Sequence, residues 1–192
     1  MAWSIDQAHS TVEFTARHMG LSKVRGRFTE FRGEIEGDPA DISSARARFE
    51  VDLTSVDTGT EARDTHLRSA DFFDVDKFPK MVFQSKSITP SGDGTYQVVG
   101  DLTIREITHE VRLRYEHGGE GVDPYGNRKA GGTLTGVIKR SDWGLKWNVP
   151  LDGGGWLVSD KIGLEIELQV AETSDASDAA PAEATAGADI SA

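Results

Sequence analysis

Ala45-Arg46-Ala47-Arg48-Phe49-Glu50-Val51-Asp52-Leu53 alternates without exception, apolar at every odd position and charged at every even one. Successive side chains on a strand point to opposite faces, so this stretch reads as a strand with one buried and one wet face. The same alternation runs through Val111-Arg112-Leu113-Arg114-Tyr115-Glu116 and Ile162-Gly163-Leu164-Glu165-Ile166-Glu167-Leu168-Gln169-Val170. Turn signals such as Asp93-Gly94 and the glycines between 118 and 132 separate the runs, which favours antiparallel pairing. An all-β barrel or sandwich around an apolar interior follows.

Eight antiparallel strands are expected, near 3–18, 23–37, 45–53, 80–89, 95–104, 107–117, 130–141 and 157–171. Parity slips inside the second: Val24, Gly26 and Phe28 share one face, Phe31, Gly33 and Ile35 the other, which predicts a bulge near Thr29. After the third strand the period changes. Thr58-Gly59-Thr60-Glu61 fits a capping box, so a short inserted helix is expected from about Gly59 to Ala70.

The interior side chains follow from parity. They are Val12, Phe14 and Phe28 at the start of the chain, then Phe49 and Val51, then Phe83 and Leu102. Leu113 and Tyr115 follow, with Leu134, Gly136 and Ile138, and finally Leu164, Ile166 and Leu168. Small residues at Ala16, Gly26, Ala47, Gly100 and Gly136 leave volume among them. Such a barrel is either plugged by its own side chains or hollow enough for one ligand. A transmembrane barrel would turn its apolar face to lipid. It would then have to pack Arg46, Arg48, Glu50, Asp52, Arg112, Arg114, Glu116, Lys139, Glu165 and Glu167 into a narrow lumen, so the charges are placed outside.

The chain has 192 residues, enough for one domain, and 32 Asp and Glu against 21 Lys and Arg give a net charge of -11. That balance argues against nucleic acid or an anionic membrane surface as the main partner. With no cysteine, disulfides and thiolate chemistry are excluded. Met1 to Asp6 shows no basic start or apolar run, and no apolar stretch has transmembrane length, so a cytoplasmic, non-membrane-spanning protein is expected. The domain is placed at 1–171. The segment 172–192, Ala-, Asp- and Ser-rich with five acids and no base, reads as a disordered acidic tail.

Catalysis finds no support in the spacing. His109 and His117 share a face but stand about 27 Å apart on one strand. No helical pair of ligands suggests a metal, and no cofactor motif is present. Asp6, His9 and Ser10 suggest a triad, yet adjacent strand residues alternate faces and no elbow presents the serine.

A further set of motifs runs along the chain: Trp3-Ser4-Ile5-Asp6, Ser55-Val56-Asp57-Thr58, Arg63-Asp64-Thr65-His66-Leu67, Asp71-Phe72-Phe73-Asp74, Gly100-Asp101-Leu102-Thr103-Ile104 and Arg140-Ser141-Asp142-Trp143-Gly144-Leu145. In kind and in order, across about 3–170, they resemble those of the YceI-like family of polyisoprenoid-binding proteins. The resemblance implies a lipocalin-like barrel with a helix over one part. It also implies non-catalytic binding, storage or transport of a long apolar chain: a polyisoprenoid, an isoprenoid quinone or its precursor, or a fatty-acyl lipid. An enzyme acting on such a chain and a ligand-free barrel working through its outer surface are the alternatives, and a homodimer is compatible with either. Arg63 and His66 share a helix face and are head-group candidates, or else tie the helix and the Asp71–Asp74 segment to the barrel rim; Arg140 is a third candidate, or else forms a structural ion pair with Asp142. One departure is Glu106, where the family usually has glycine.

Overall fold

The computed structural model describes residues 1–38 and 40–173. Eleven strands and one helix follow in order: β1 (Ala2–Ile5), β2 (Thr11–His18), β3 (Ser22–Phe28), β4 (Phe31–Asp38), β5 (Asp41–Asp52), β6 (Val56–Asp57), α1 (Glu61–Arg68), β7 (Lys80–Gly92), β8 (Thr95–Ile104), β9 (Ile107–Val122), β10 (Arg128–Lys139) and β11 (Lys161–Thr173). The sheet runs β4-β5-β7-β8-β9-β10-β11, continues into β2-β3-β6, and closes because β1 bonds both β4 and β11. All pairings are antiparallel. β1 with β2, and β3 with β4, each act as one bent strand, so eight strand positions surround the lumen.

Both bends have local causes. The first expected strand breaks at a 3-10 turn, Gln7–His9, where the Asp6 carboxylate accepts the Ala8 amide. Ser10 restores the ladder at the break: its hydroxyl donates to the Gln169 carbonyl (3.2 Å) and accepts the Gln169 amide (3.0 Å). That hydroxyl is therefore spent on backbone rather than on His9. The second break falls at Thr29–Glu30, as the parity slip predicted, and the Ser55 hydroxyl takes the Glu30 amide.

The helix is shorter than expected and its capping box does not form. Thr60 is the N-cap residue, without a side-chain cap bond. The Thr58 amide and hydroxyl both donate instead to Asp64, a buried carboxylate that needs those donors more than the first turn does. The Glu61 carboxylate turns to Thr65 and Arg68.

β8 and β9 join through a two-residue turn, with Ile104 paired to Ile107 and both Arg105 (φ 51°) and Glu106 (φ 63°) left-handed. Two positive φ values match the twist of a tight hairpin, so the turn keeps the glycine-type geometry without a glycine. At the chain's end β11 runs to Thr173, two residues past the expected boundary, because Trp3 and Ala2 pair with Glu172 and Thr173. The rest of the expected tail lies outside the described residues.

Arg46, Arg48, Arg112, Arg114, Glu165 and Glu167 are exposed on the outer wall, and the apolar parity faces inward. No helix among the described residues is long and apolar enough to cross a membrane.

Candidate ligand lumen

Two chambers occupy the barrel axis. The outer one, about 100 Å³, lies at the end where β4 turns into β5, and is lined there by Gly37, Asp38 and Ile42 with His117 and Gly131 opposite. The inner one, about 110 Å³, lies toward α1 and is lined by Val12, Phe14, Phe28, Leu113, Leu164 and Ile166, among others. Phe49, Phe83, Leu134 and Leu168 line both chambers and form a waist between them. The Phe49 and Phe83 rings stand 6.4 Å apart there.

Volume remains in the bore because four of its rings lie on glycines. Phe14 faces Gly26 across β2 and β3, and Phe49 faces Gly33 across β4 and β5. In each pair the ring occupies the volume a β-carbon on the glycine would fill, and Phe83 does the same over Gly100 and Tyr115 over Gly132. A ring folded against the wall leaves the axis free. A ring standing upright would cross it.

Of the residues expected inside, Val51, Leu102 and Ile138 line the inner chamber with those already named, and Tyr115 lines the outer one. Gly136 is the correction. It shares the inward face of Leu134, but the Leu113 side chain fills the space where its β-carbon would be, and it lines neither chamber. Gly26, Gly100 and Gly136 thus do not mark free volume directly, since a neighbouring side chain lies over each, whereas Ala47 does line the outer chamber.

The α1 end is filled. Leu53 and Val56 are fully buried in one cluster with Phe28, Phe31 and Val51, and Phe72, Trp143 and Leu145 are buried in a second. The Trp143 indole donates to the Leu102 carbonyl (3.0 Å).

The three head-group candidates all stand at this end and line neither chamber. The Arg63 guanidinium donates to the Thr58 hydroxyl (2.7 Å) and carbonyl (2.9 Å), tying the helix to the loop before it. His66 bonds Asp71 (2.9 Å) and sets its ring edge against Phe72 and Trp147. Arg140 is buried, and the ion pair expected with Asp142 is not formed. Its guanidinium instead donates to the carbonyls of Leu145 (2.6 Å), Trp147 (2.9 Å), Ser159 (3.0 Å) and Val158 (3.5 Å), pinning the irregular segment before β11. Burial pulls its pKa below the usual value, and nearby Asp160 opposes that pull.

Polar groups do reach the lumen at the opposite, outer end. The Tyr115 hydroxyl donates to the Gly131 carbonyl (3.1 Å) and stands 3.2 Å from His117 Nδ1. Burial pushes the phenol up to about 12, so it stays a neutral hydroxyl. Asp38 lines the same chamber. Basic groups around this mouth are already paired: Lys129 with Asp6 (2.9 Å), and Arg128 with Glu120, Glu172 and the Trp3 ring. His117 was legible in the sequence, since it continues the inward parity of Leu113 and Tyr115. Asp38 was not, because the ladder shifts register between Glu36 and Asp38 at the end of β4 and breaks the parity there.

The solved structure of BcnA from Burkholderia cenocepacia superposes with a TM-score of 0.71 at 26% identity, covering 86% of this chain and 98% of that one. The Campylobacter jejuni YCEI protein gives 0.71 at 31%, covering 82% and 90%. A polyisoprenoid binding domain from Saccharophagus degradans, at 16% identity and a TM-score of 0.65 over 89% of this chain and 98% of that one, shares the fold. By sequence, the UPF0312 protein SA2479 of Staphylococcus aureus is 38% identical over 168 residues, 87% of this chain and 95% of that protein. The YceI-like domain matches residues 3–170. With its two-chambered lumen inside a barrel matched over nearly its whole length, the chain belongs to the YceI-like family.

Proposed function

We propose that the barrel binds a long apolar chain without transforming it, serving as a carrier or store for a polyisoprenoid, an isoprenoid quinone or a fatty-acyl lipid. The observation that carries this is the pair of apolar chambers in line through one waist, with rings laid on glycines along the path. Burying a chain there is worth about 0.8 kcal/mol per methylene, opposed by the ordering of the chain. The likeness to a polyisoprenoid binding domain supports the same reading.

The outer mouth favours a neutral head group. Asp38 and the paired Arg128 and Lys129 offer no uncompensated positive charge, whereas the Tyr115 hydroxyl and His117 can exchange hydrogen bonds with a hydroxyl or a quinone oxygen. An alcohol or quinone head should therefore bind more tightly than a diphosphate on the same chain.

Native mass spectrometry of freshly purified protein, followed by organic extraction and titration with a fluorescent prenol, tests the reading. A near-stoichiometric bound chain is expected. Absence of any chain in all three measurements would remove the carrier function.

A further inference from the structure

The charge of this acidic chain is not evenly spread. From Arg17 to Phe28 there is no Asp or Glu, while Arg17, Lys23, Arg25 and Arg27 are all basic. Arg17 sits directly opposite Lys23 in the β2–β3 ladder. Like charges facing across a pair are destabilising, so fold stability does not explain the arrangement. Arg27 is paired with Asp57 (2.9 Å), but Arg17, Lys23 and Arg25 are exposed and have no carboxylate partner among the described residues.

The same place carries exposed apolar side chains. The turn between β2 and β3 presents Met19 and Leu21, the latter 79% exposed. A second hairpin lies against it, for the Met19 amide bonds the Leu157 carbonyl (2.8 Å) and His18 bridges Val158. That hairpin, closed by Pro150 against Trp156, adds Val149 and Trp156, the latter 60% exposed. Asp152 is the one carboxylate between Val149 and Leu157. Two bonded turns thus form one tip with a Trp, a Leu, a Met and a Val at the front and three unpaired bases behind. Trp at an interface and Lys or Arg just above it are what a bilayer surface selects.

We infer that the paired tips of the β2–β3 turn and the 149–157 hairpin dock this protein onto a bilayer rich in anionic lipid. The bases meet lipid phosphates and the four apolar side chains enter the headgroup layer. Asp160, next to the Ser159 that bonds Arg17, has its carboxylate held by Ser141, and carboxylates farther than about 8–10 Å are screened at physiological salt. The surface stands independently of what the lumen holds, because its residues line neither chamber.

The test is sedimentation of the full chain with vesicles of phosphatidylcholine alone or mixed with phosphatidylglycerol. Partition onto the anionic vesicles is expected, weakened by salt. Arg17→Glu with Lys23→Glu should weaken it by about tenfold or more, and so should Leu21→Ser with Trp156→Ser. Vesicles should also shift the tryptophan emission to the blue, and Trp156→Phe should abolish that shift. Circular dichroism establishes that each variant is folded; where one is not, Lys23→Gln with Arg25→Gln replaces it. No partition, or equal partition by every variant, overturns the proposal. A dimer in solution that Leu21→Ser dissolves assigns the tip to a second copy and overturns it too. So does binding seen only after the chain is shortened to Thr173, which would make the acidic segment the occupant.

Discussion

The Phe83 ring lies across Gly100, filling the volume in which a β-carbon on that glycine would stand. Phe83 pairs with Leu102 and reaches diagonally onto Gly100, so the ring is pressed along the wall at the waist instead of across the bore. The position of the ring at the waist therefore depends on a missing side chain, two positions away in the neighbouring strand.

Gly100→Ala or Gly33→Ala should lift Phe83 or Phe49 off the wall and into the waist. Overpacking of this kind costs about 1–3 kcal/mol. Thermal unfolding should register that cost, and titration with a fluorescent prenol should show weaker uptake even in protein that remains folded. Gly121→Ala, with open space around the added methyl, is the control. Unchanged stability and uptake in both lumen variants would show that the rings have another place to go.

Glu106→Gly should stabilise the protein. A residue with a β-carbon in the left-handed region costs about 1–2 kcal/mol, and glycine gives back part of that through its greater freedom when unfolded, leaving a gain of about 0.5–1 kcal/mol. Arg105→Gly, next door in the same turn, should bring no such gain, because the Arg105 guanidinium holds the Phe72 carbonyl (3.0 Å). Denaturant melts of the two variants side by side separate backbone strain from the side-chain bond.

Stability should fall as pH drops from about 4 toward 2. The hydrogen bond from Lys129, aided by His9, holds the Asp6 carboxyl down to about 2 from its ordinary 3.8. A carboxylate with a depressed folded-state pKa contributes stability that is present above its unfolded pKa and lost as protonation sets in. Lys129→Ala should raise the Asp6 pKa toward 3.8, as read by NMR titration, and flatten the acid limb of the stability curve. An Asp6 titration unmoved by the substitution would assign the shift elsewhere.

How much was legible depends on periodicity. Alternation in 45–53, 111–116 and 162–170 gave the strands, their inward faces and the barrel class, because a two-residue period is a local property of extended backbone. The parity slip at Thr29 gave the bend between β3 and β4 for the same reason. The capping box failed because Asp64, six residues after Thr58, is buried and competes for the same hydroxyl, and burial cannot be seen in a four-residue motif.

The sequence by itself determined which side chains face the interior, since parity does not depend on strand order. Only the tertiary structure decided whether that interior is empty. Free volume arises where a ring from one strand lies on a glycine from its neighbour, as Phe49 does on Gly33, and that pairing depends on inter-strand register. It also decided which end is the mouth. Arg63, His66 and Arg140 are drawn into bracing contacts at the α1 end, while His117 and Tyr115 meet at the far end. The reason is that a polar side chain near a barrel end pairs with whichever backbone or side-chain group the folded loops and strands bring within reach, and parity along one strand does not specify that group.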